Sequence, residues 1–288
     1  MTARELFRDS TGTVRPLWRL VIFGAVTVAS MVVINGAVVP LASWLFSITR
    51  VRVVLYPWML LASIVVGHVV TFRILEPRGW AVVRLGQAAA RRPRPIIVAG
   101  LLGALAVGIP SLILLAVGWL RAEPGPSGSS LAAAASIALF LAPAALWEEM
   151  VFRGYAFAVL ADWWGPAAAL GATSMVFGLV HFQNAGSSLA SVVVVILAGV
   201  FLGGVLLVTG SLWAAFAAHL AWNWVLAAVL HSAVSGIPFT TPDYRVVDAG
   251  PDWATGGVWG PEGGVPAACG LVLASIYLYV RRGRREES

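Results

Sequence analysis

The sequence predicts an all-α fold, a polytopic membrane bundle of about eight transmembrane helices. Of its 288 residues, 59% are hydrophobic and 11% are charged, whereas a soluble domain carries about 25% charged residues. The hydrophobic residues come in blocks of about 20, the length at which a helix crosses the hydrocarbon core of a bilayer. Because an isolated segment in lipid must satisfy its own backbone polar groups, we expect each block to be helical.

Eight apolar blocks can be delimited along the chain. The first follows several arginines but is longer than the apolar core of a signal peptide, so we expect it to be retained as a membrane helix. The blocks cover residues 18–46, 54–74, 95–120, 131–162, 165–183, 188–208, 211–231 and 264–280. We divide the chain into N-terminal membrane helices with an Arg-rich loop (1–129), a helical core (130–231), a polar outer loop (232–263), and a last helix with a basic tail (264–288).

The basic residues predict the orientation and the partners of the chain. The formal net charge is +6, and most of the arginines cluster between the apolar blocks, which favours contact with membrane lipid head groups over nucleic acid. Eight helices would bring three Arg-rich segments to one side: the N-terminus, the loop after the second block and the C-terminal tail. The positive-inside rule then predicts that both termini are cytoplasmic.

Two adjacent glutamates, Glu148 and Glu149, lie late in the fourth block and are followed by Arg153. Charged side chains within membrane helices are costly, and they therefore favour a functional interpretation. Glu149 and Arg153 are four residues apart and can pair on one helical face. That pairing leaves Glu148 on another face, where its carboxyl group suits a general acid or base. The alternative is an interfacial charge cluster where the helix leaves the bilayer.

Histidines mark two further helices of the predicted core. Phe177 and His181 are four residues apart in the fifth block, and His219 and Asn223 are four apart in the seventh. Two polar side chains on one stripe of an apolar helix need a partner inside the bundle. Each histidine taken alone also fits a packed, hydrogen-bonded residue. We interpret His68, in the second block, as such a packing or interhelical hydrogen-bonding residue.

The spacing around a turn brings the first two clusters to a similar depth. The turn is expected at residues 164–166, and Glu148 lies about 16 residues before it while His181 lies about 16 after it. A carboxylate and an imidazole can polarise a water molecule for attack on a carbonyl group, and a histidine and an asparagine can hold the oxyanion that forms. Alternatively, Glu148, His181 and His219 could bind a zinc ion, although the HExxH pattern of many zinc proteases is absent.

The three clusters read EEMVFR, FGLVH and HLAWN. In this order they resemble the EExxxR, FxxxH and HxxxN motifs of the CPBP family of intramembrane proteases. That family includes type II CAAX prenyl endopeptidases and bacterial proteins linked to bacteriocin processing and self-immunity. The spacing of 33 positions from Glu148 to His181 and 38 from His181 to His219 makes the combination specific. The resemblance covers roughly residues 130–230.

The resemblance implies a role for each matching residue. Glu148 and His181 would activate the water, and His219 and Asn223 would stabilise the oxyanion. Supporting roles fall to three further residues: Glu149, Arg153 and Phe177. It also implies a CAAX-type endopeptidase, either glutamate-dependent or a metalloprotease, that acts on a membrane-associated peptide or protein. Because bacterial members are common, we expect a bacterial cell membrane, and a bacterial chain would not be expected to act on a prenylated substrate.

Two other classes of function remain open at this point. The first is a non-catalytic membrane scaffold or bacteriocin-immunity protein that keeps the polar pocket for stability. The second is a proton-coupled transporter in which Glu148, His181 and His219 form a relay. The absence of an internal repeat and of paired broken helices disfavours the transporter. The polar segment 232–263 carries no chemistry that the sequence identifies.

Overall fold

The computed structural model describes residues 6–50, 54–239 and 241–286. Two arginines used in the orientation argument lie outside them: Arg4 of the Arg-rich N-terminus, and Arg52 between the first two blocks. The predicted helical bundle is confirmed, because almost all regular structure is helical. The helices are α1 (Pro16–Thr49), α2 (Tyr56–Leu75), α3 (Gln87–Ala90), α4 (Pro93–Ala116), α5 (Ser130–Arg153), α6 (Tyr155–Trp164), α7 (Pro166–His181), α8 (Leu189–Thr209), α9 (Leu212–Trp224), α10 (Asp252–Thr255) and α11 (Val265–Glu286). Strands β1 (Leu120–Pro124) and β2 (Tyr244–Asp248) pair antiparallel.

Within the described residues, seven helical stretches are long and apolar enough to cross a membrane. They are α1, α2, α4, α5 together with α6, α8, α9 with its extension to Val229, and α11. The remaining block forms α7, an apolar helix of 16 residues. At 1.5 Å per residue it is about 24 Å long, shorter than the roughly 30 Å hydrocarbon core. Two termini on one side require an even number of crossings, so that orientation remains a prediction that depends on α7.

The chain divides into two compact units. The first unit contains residues 1–86 and 143–169, and the second contains residues 87–142 and 170–288. One division falls at Pro143 within α5, where proline removes a backbone donor from the helix. The other falls within α7, between Ala169 and Leu170. The four-part division made from the sequence was based on the apolar blocks and the motifs, and it remains a prediction.

In the first unit, α1 packs against α2 and α6. The core cluster contains Phe23, Phe72, Val83, Tyr155 and Val159. A polar group lies beside it, because Arg19 forms an ion pair with the buried Glu76 and donates from Nε to the Tyr155 hydroxyl at 3.1 Å. The Tyr155 hydroxyl also donates to Glu76 Oε1 at 3.3 Å. The apolar and polar contacts together fix the start of α6 against the first two helices.

In the second unit, α4 packs against α9 and α11, and α8 packs against the same two helices. Small residues allow the close approach that membrane helices use for packing. A Cβ atom on Gly103 of α4 would collide with the carbonyl oxygen of Ala218 on α9. Glycine at this position therefore sets how closely the two helices approach each other.

In the polar segment 232–263, the structure describes residues 232–239 and 241–263, and they include regular structure. The segment contains β2, α10 and two 3₁₀ turns at Gly257–Trp259 and Pro261–Gly263. Trp259 is fully buried, and Ala254 packs with Leu114 and Leu120 in a small apolar cluster. The outer loop predicted from the sequence is thus a folded part of the second unit.

Candidate active site

The glutamate motif occupies the last two turns of α5. Arg153 Nη1 lies 3.0 Å from Glu149 Oε1, and both side chains are fully buried, with 0% of each exposed. The pairing predicted from the four-residue spacing is therefore confirmed. Glu148 is half-buried on the neighbouring face of the same helix. Arg153 is the last residue of α5, where the negative end of the helix dipole favours a cation.

The helix that carries the glutamates is interrupted directly after Arg153. Gly154 separates α5 from α6, and a Cβ atom there would collide with the Met150 carbonyl oxygen and lie 2.8 Å from His68 Nε2. The prediction that Glu148 and His181 lie at a similar depth assumed an unbroken helix from Glu148 to the turn at 164–166. The interruption at Gly154 removes that assumption. The similar depth of Glu148 and His181 no longer follows from residue counting.

His68 stabilises the interruption from α2. The backbone N–H of Tyr155, at the start of α6, donates to His68 Nε2 at 3.4 Å, and His68 Nδ1 lies 2.8 Å from the Ile64 carbonyl oxygen. A neutral ring with its proton on Nδ1 satisfies both contacts. The ring is fully buried among aromatic side chains and stacks on Trp80. The interpretation of His68 as a packing and hydrogen-bonding residue is confirmed.

The second motif ends α7, and His181 is the last residue of that helix. His181 Nδ1 lies 2.7 Å from the Phe177 carbonyl oxygen, and the two rings are 4.6 Å apart. In the neutral ring this contact places the proton on Nδ1 and leaves Nε2 as the acceptor. Gly178 lets α7 approach α8, because a Cβ atom there would meet Ile196.

The third motif lies on α9, and both of its polar residues are buried, with 8% of His219 and 9% of Asn223 exposed. The ring of Phe177 lies 6.1 Å from the ring of His219 in an edge-to-face arrangement. Phe177 thus contacts the rings of both histidines within the second unit. Directly after α9 the backbone continues as a π-helix over Val225–Val229, a form that often accompanies functional sites.

The predicted site residues fall into two groups. The first unit holds Glu148, Glu149 and Arg153, and the second holds Phe177, His181, His219 and Asn223. The structure brings the members of each group together, and the meeting of the two groups remains a prediction. Among the residues that the structure describes, no group of three or more His, Cys, Asp or Glu side chains is arranged to hold a metal ion. The zinc alternative therefore gains no structural support.

Sequence reasoning missed a buried carboxylate beside the third motif. Glu262 accepts a hydrogen bond from Trp222 Nε1 at 2.6 Å, and Trp222 directly precedes Asn223. Ser235 donates to the other oxygen of Glu262 through its backbone N–H and its hydroxyl group. These residues are 40 and 27 positions from Glu262, so no helical spacing connects them in the sequence.

The fold defines the chain as an integral, multi-pass membrane protein with polar side chains buried at the ends of its helices. Residues 129–225 match the family model described as type II CAAX prenyl endopeptidase Rce1-like. This segment, about a third of the chain, contains all three motifs, and the resemblance inferred from them is confirmed there. No curated protein and no solved structure gives a significant match to the chain.

Proposed function

We propose that the chain is an intramembrane endopeptidase of the CAAX type that hydrolyses a peptide bond of a membrane-associated peptide or protein. The observation that carries the proposal is the arrangement of His181 and His219 around Phe177, with Asn223 buried on the same helix as His219. This arrangement lies within the segment that matches the endopeptidase family. Buried polar side chains in an apolar bundle favour a functional interpretation.

In the proposed reaction, Glu148 and His181 polarise a water molecule, and His181 Nε2 takes one proton from it. The His181 contact with the Phe177 carbonyl supports this role, since it leaves Nε2 to act as the proton acceptor. The water oxygen forms a bond to the carbonyl carbon of the scissile peptide, and the carbonyl oxygen becomes an oxyanion. The carbon–nitrogen bond then breaks, and the proton passes to the leaving amine.

His219 and Asn223 donate hydrogen bonds to the oxyanion. Their burial supports the role, because hydrogen bonds are stronger where water is excluded. The Glu149–Arg153 pair holds the end of α5 so that Glu148 keeps its orientation. Phe177 packs on the rings of both histidines and restricts their rotation.

The proposal includes a bacterial cell membrane and two cytoplasmic termini. Three Arg-rich segments support the orientation through the positive-inside rule, provided that α7 crosses the membrane. Membrane lipids and a membrane-associated substrate are the partners that a site within the bundle implies.

The test is cleavage of membrane-associated peptides by the full-length protein in lipid vesicles, with products identified by mass spectrometry. Glu148→Ala and His181→Ala should each lower the cleavage rate by about 10²–10⁴-fold, the usual contribution of a general acid or base. Glu123→Ala is the matched control, because Glu123 is an exposed acidic residue on β1. Undiminished cleavage by folded Glu148→Ala would contradict the proposal and favour a scaffold or immunity protein.

A further inference from the structure

The carboxylate of Glu262 has no role in the proposed reaction, yet only 6% of the residue is exposed. Both of its oxygens accept hydrogen bonds: Trp222 donates to Oε2, and Ser235 donates twice to Oε1. A buried carboxylate costs free energy unless such donors compensate for lost hydration. The three donors therefore explain how the acidic group is accommodated, and they tie a 3₁₀ turn of segment 232–263 to α9.

The same contacts lead to the end of α7. Asn184 Nδ2 donates to the Ser235 carbonyl oxygen at 3.0 Å. The backbone N–H of Asn184 donates to the carbonyl oxygen of His181, also at 3.0 Å. A continuous set of contacts thus connects His181, through Asn184, Ser235 and Glu262, with Trp222. All of these residues belong to the second unit.

Ser235 is held in place by a tight turn. Residues Val234 and Ile237 form a two-way backbone pair with distances of 3.0 and 2.8 Å. Ser235 and Gly236 at the tip have φ values of 49° and 77°, the left-handed values of a type I′ turn. Glycine also avoids a collision, because a Cβ atom at residue 236 would strike the Ala185 carbonyl oxygen. The turn therefore lies directly against the connection that follows α7.

We propose that Glu262 is a positioning residue of the proteolytic site, which it serves by linking the helix end that carries His181 to the helix that carries His219 and Asn223. The inference rests on the proposed function. Its physical basis is the sensitivity of catalysis to position, since a displacement of about 1 Å can cost about 10²-fold in rate. The segment 232–263 thereby acquires a function that its composition did not indicate.

Glu262→Gln tests this inference. Glutamine offers one acceptor oxygen and two N–H donors. If the oxygen faces Ser235, the amide nitrogen opposes the Trp222 N–H group; in the other orientation it opposes the Ser235 N–H group. We expect kcat for a peptide that the wild type cleaves to fall about 10–10²-fold, with KM changed less than about twofold because the substrate contacts remain.

A double-variant cycle separates positioning from loss of folded protein. Trp222→Phe removes the opposing donor, so the pair Glu262→Gln and Trp222→Phe should have a kcat no lower than the worse single variant. Independent structural damage would instead multiply the two losses. If Glu262→Gln does not fold, Ser235→Ala takes its place in the double-variant cycle with Trp222→Phe. This substitution removes the hydroxyl group that donates to Glu262.

The control variant is Glu123→Gln, and the amount of folded protein is measured for every variant. A wild-type kcat in folded Glu262→Gln, or multiplied losses in the double variant, would overturn the inference. Glu148→Ala measured alongside distinguishes the two proposals. If Glu148→Ala cleaves normally, the proposed function itself fails; if it is inactive while Glu262→Gln is normal, the positioning role alone is wrong.

Discussion

Replacing Arg153 with methionine should lower the free energy of unfolding by about 3–5 kcal/mol, the range found when one partner of a buried ion pair is removed. Glu149 and Arg153 are 3.0 Å apart and fully buried. Coulomb's law with an effective dielectric constant of about 20 gives an attraction of about 5.5 kcal/mol at that separation. Methionine keeps the unbranched chain but leaves the Glu149 carboxylate without the cation that compensates for its burial.

The chain offers a matched control for this experiment. Arg245 and Glu123 are 3.1 Å apart, but 62% and 48% of their side chains are exposed, so Arg245→Met should cost less than about 1 kcal/mol. Unfolding in detergent, followed by circular dichroism, gives both values. Adding Glu149→Gln to Arg153→Met removes the uncompensated charge and should recover most of the loss. Equal effects of Arg153→Met and Arg245→Met would refute the reasoning that burial determines the strength of the pair.

Three further outcomes are expected. Gly103→Ala should destabilise the protein by about 1–3 kcal/mol through overpacking against Ala218. The control Gly24→Ala should leave the stability unchanged, because nothing lies near its Cβ position. Equal unfolding midpoints for the two variants would contradict the overpacking argument. His68→Phe keeps an aromatic ring but removes the acceptor of the Tyr155 N–H group, and it should cost about 1–3 kcal/mol in the same assay. A chelator should leave cleavage unchanged if a glutamate and a histidine activate the water, whereas lost activity that zinc restores would favour the metal mechanism.

Local patterns predicted most of the helical architecture. Blocks of apolar residues became helices because an isolated segment in lipid can satisfy its backbone only within itself. The interruption at Gly154 was missed, since one glycine in a helical pattern is tolerated and the apolar block continues beyond it. The stability of that interruption comes from His68, which is 87 positions from Tyr155. Sequence spacing carries no information about such a contact.

The same distinction applies to the candidate site. Glu149 with Arg153 and Phe177 with His181 were predictable, because residues four apart share a helical face. The contact of Phe177 with His219 joins two helices, so residue spacing along one helix did not predict it. Glu262 stands in a Gly- and Pro-rich stretch without periodicity, so neither spacing nor resemblance indicated its place beside the third motif.

The first two motifs end their helices, because Arg153 and His181 are the final residues of α5 and α7, whereas Asn223 precedes the point where α9 continues as the π-helix Val225–Val229. The C-terminal end of a helix carries partial negative charge, which would stabilise protonated His181 in the proposed reaction.

A contact with a distant segment lies at or beside each motif. His68 accepts from the first residue after the Gly154 interruption, Asn184 connects the end of α7 to Ser235, and Glu262 binds the indole of Trp222 just before the π-helix. These contacts come from segments distant in the sequence from the motif they support. In the proposed endopeptidase, the motif residues would supply the chemistry, while residues outside the matched segment 129–225, such as His68 and Glu262, contact the ends of those motifs.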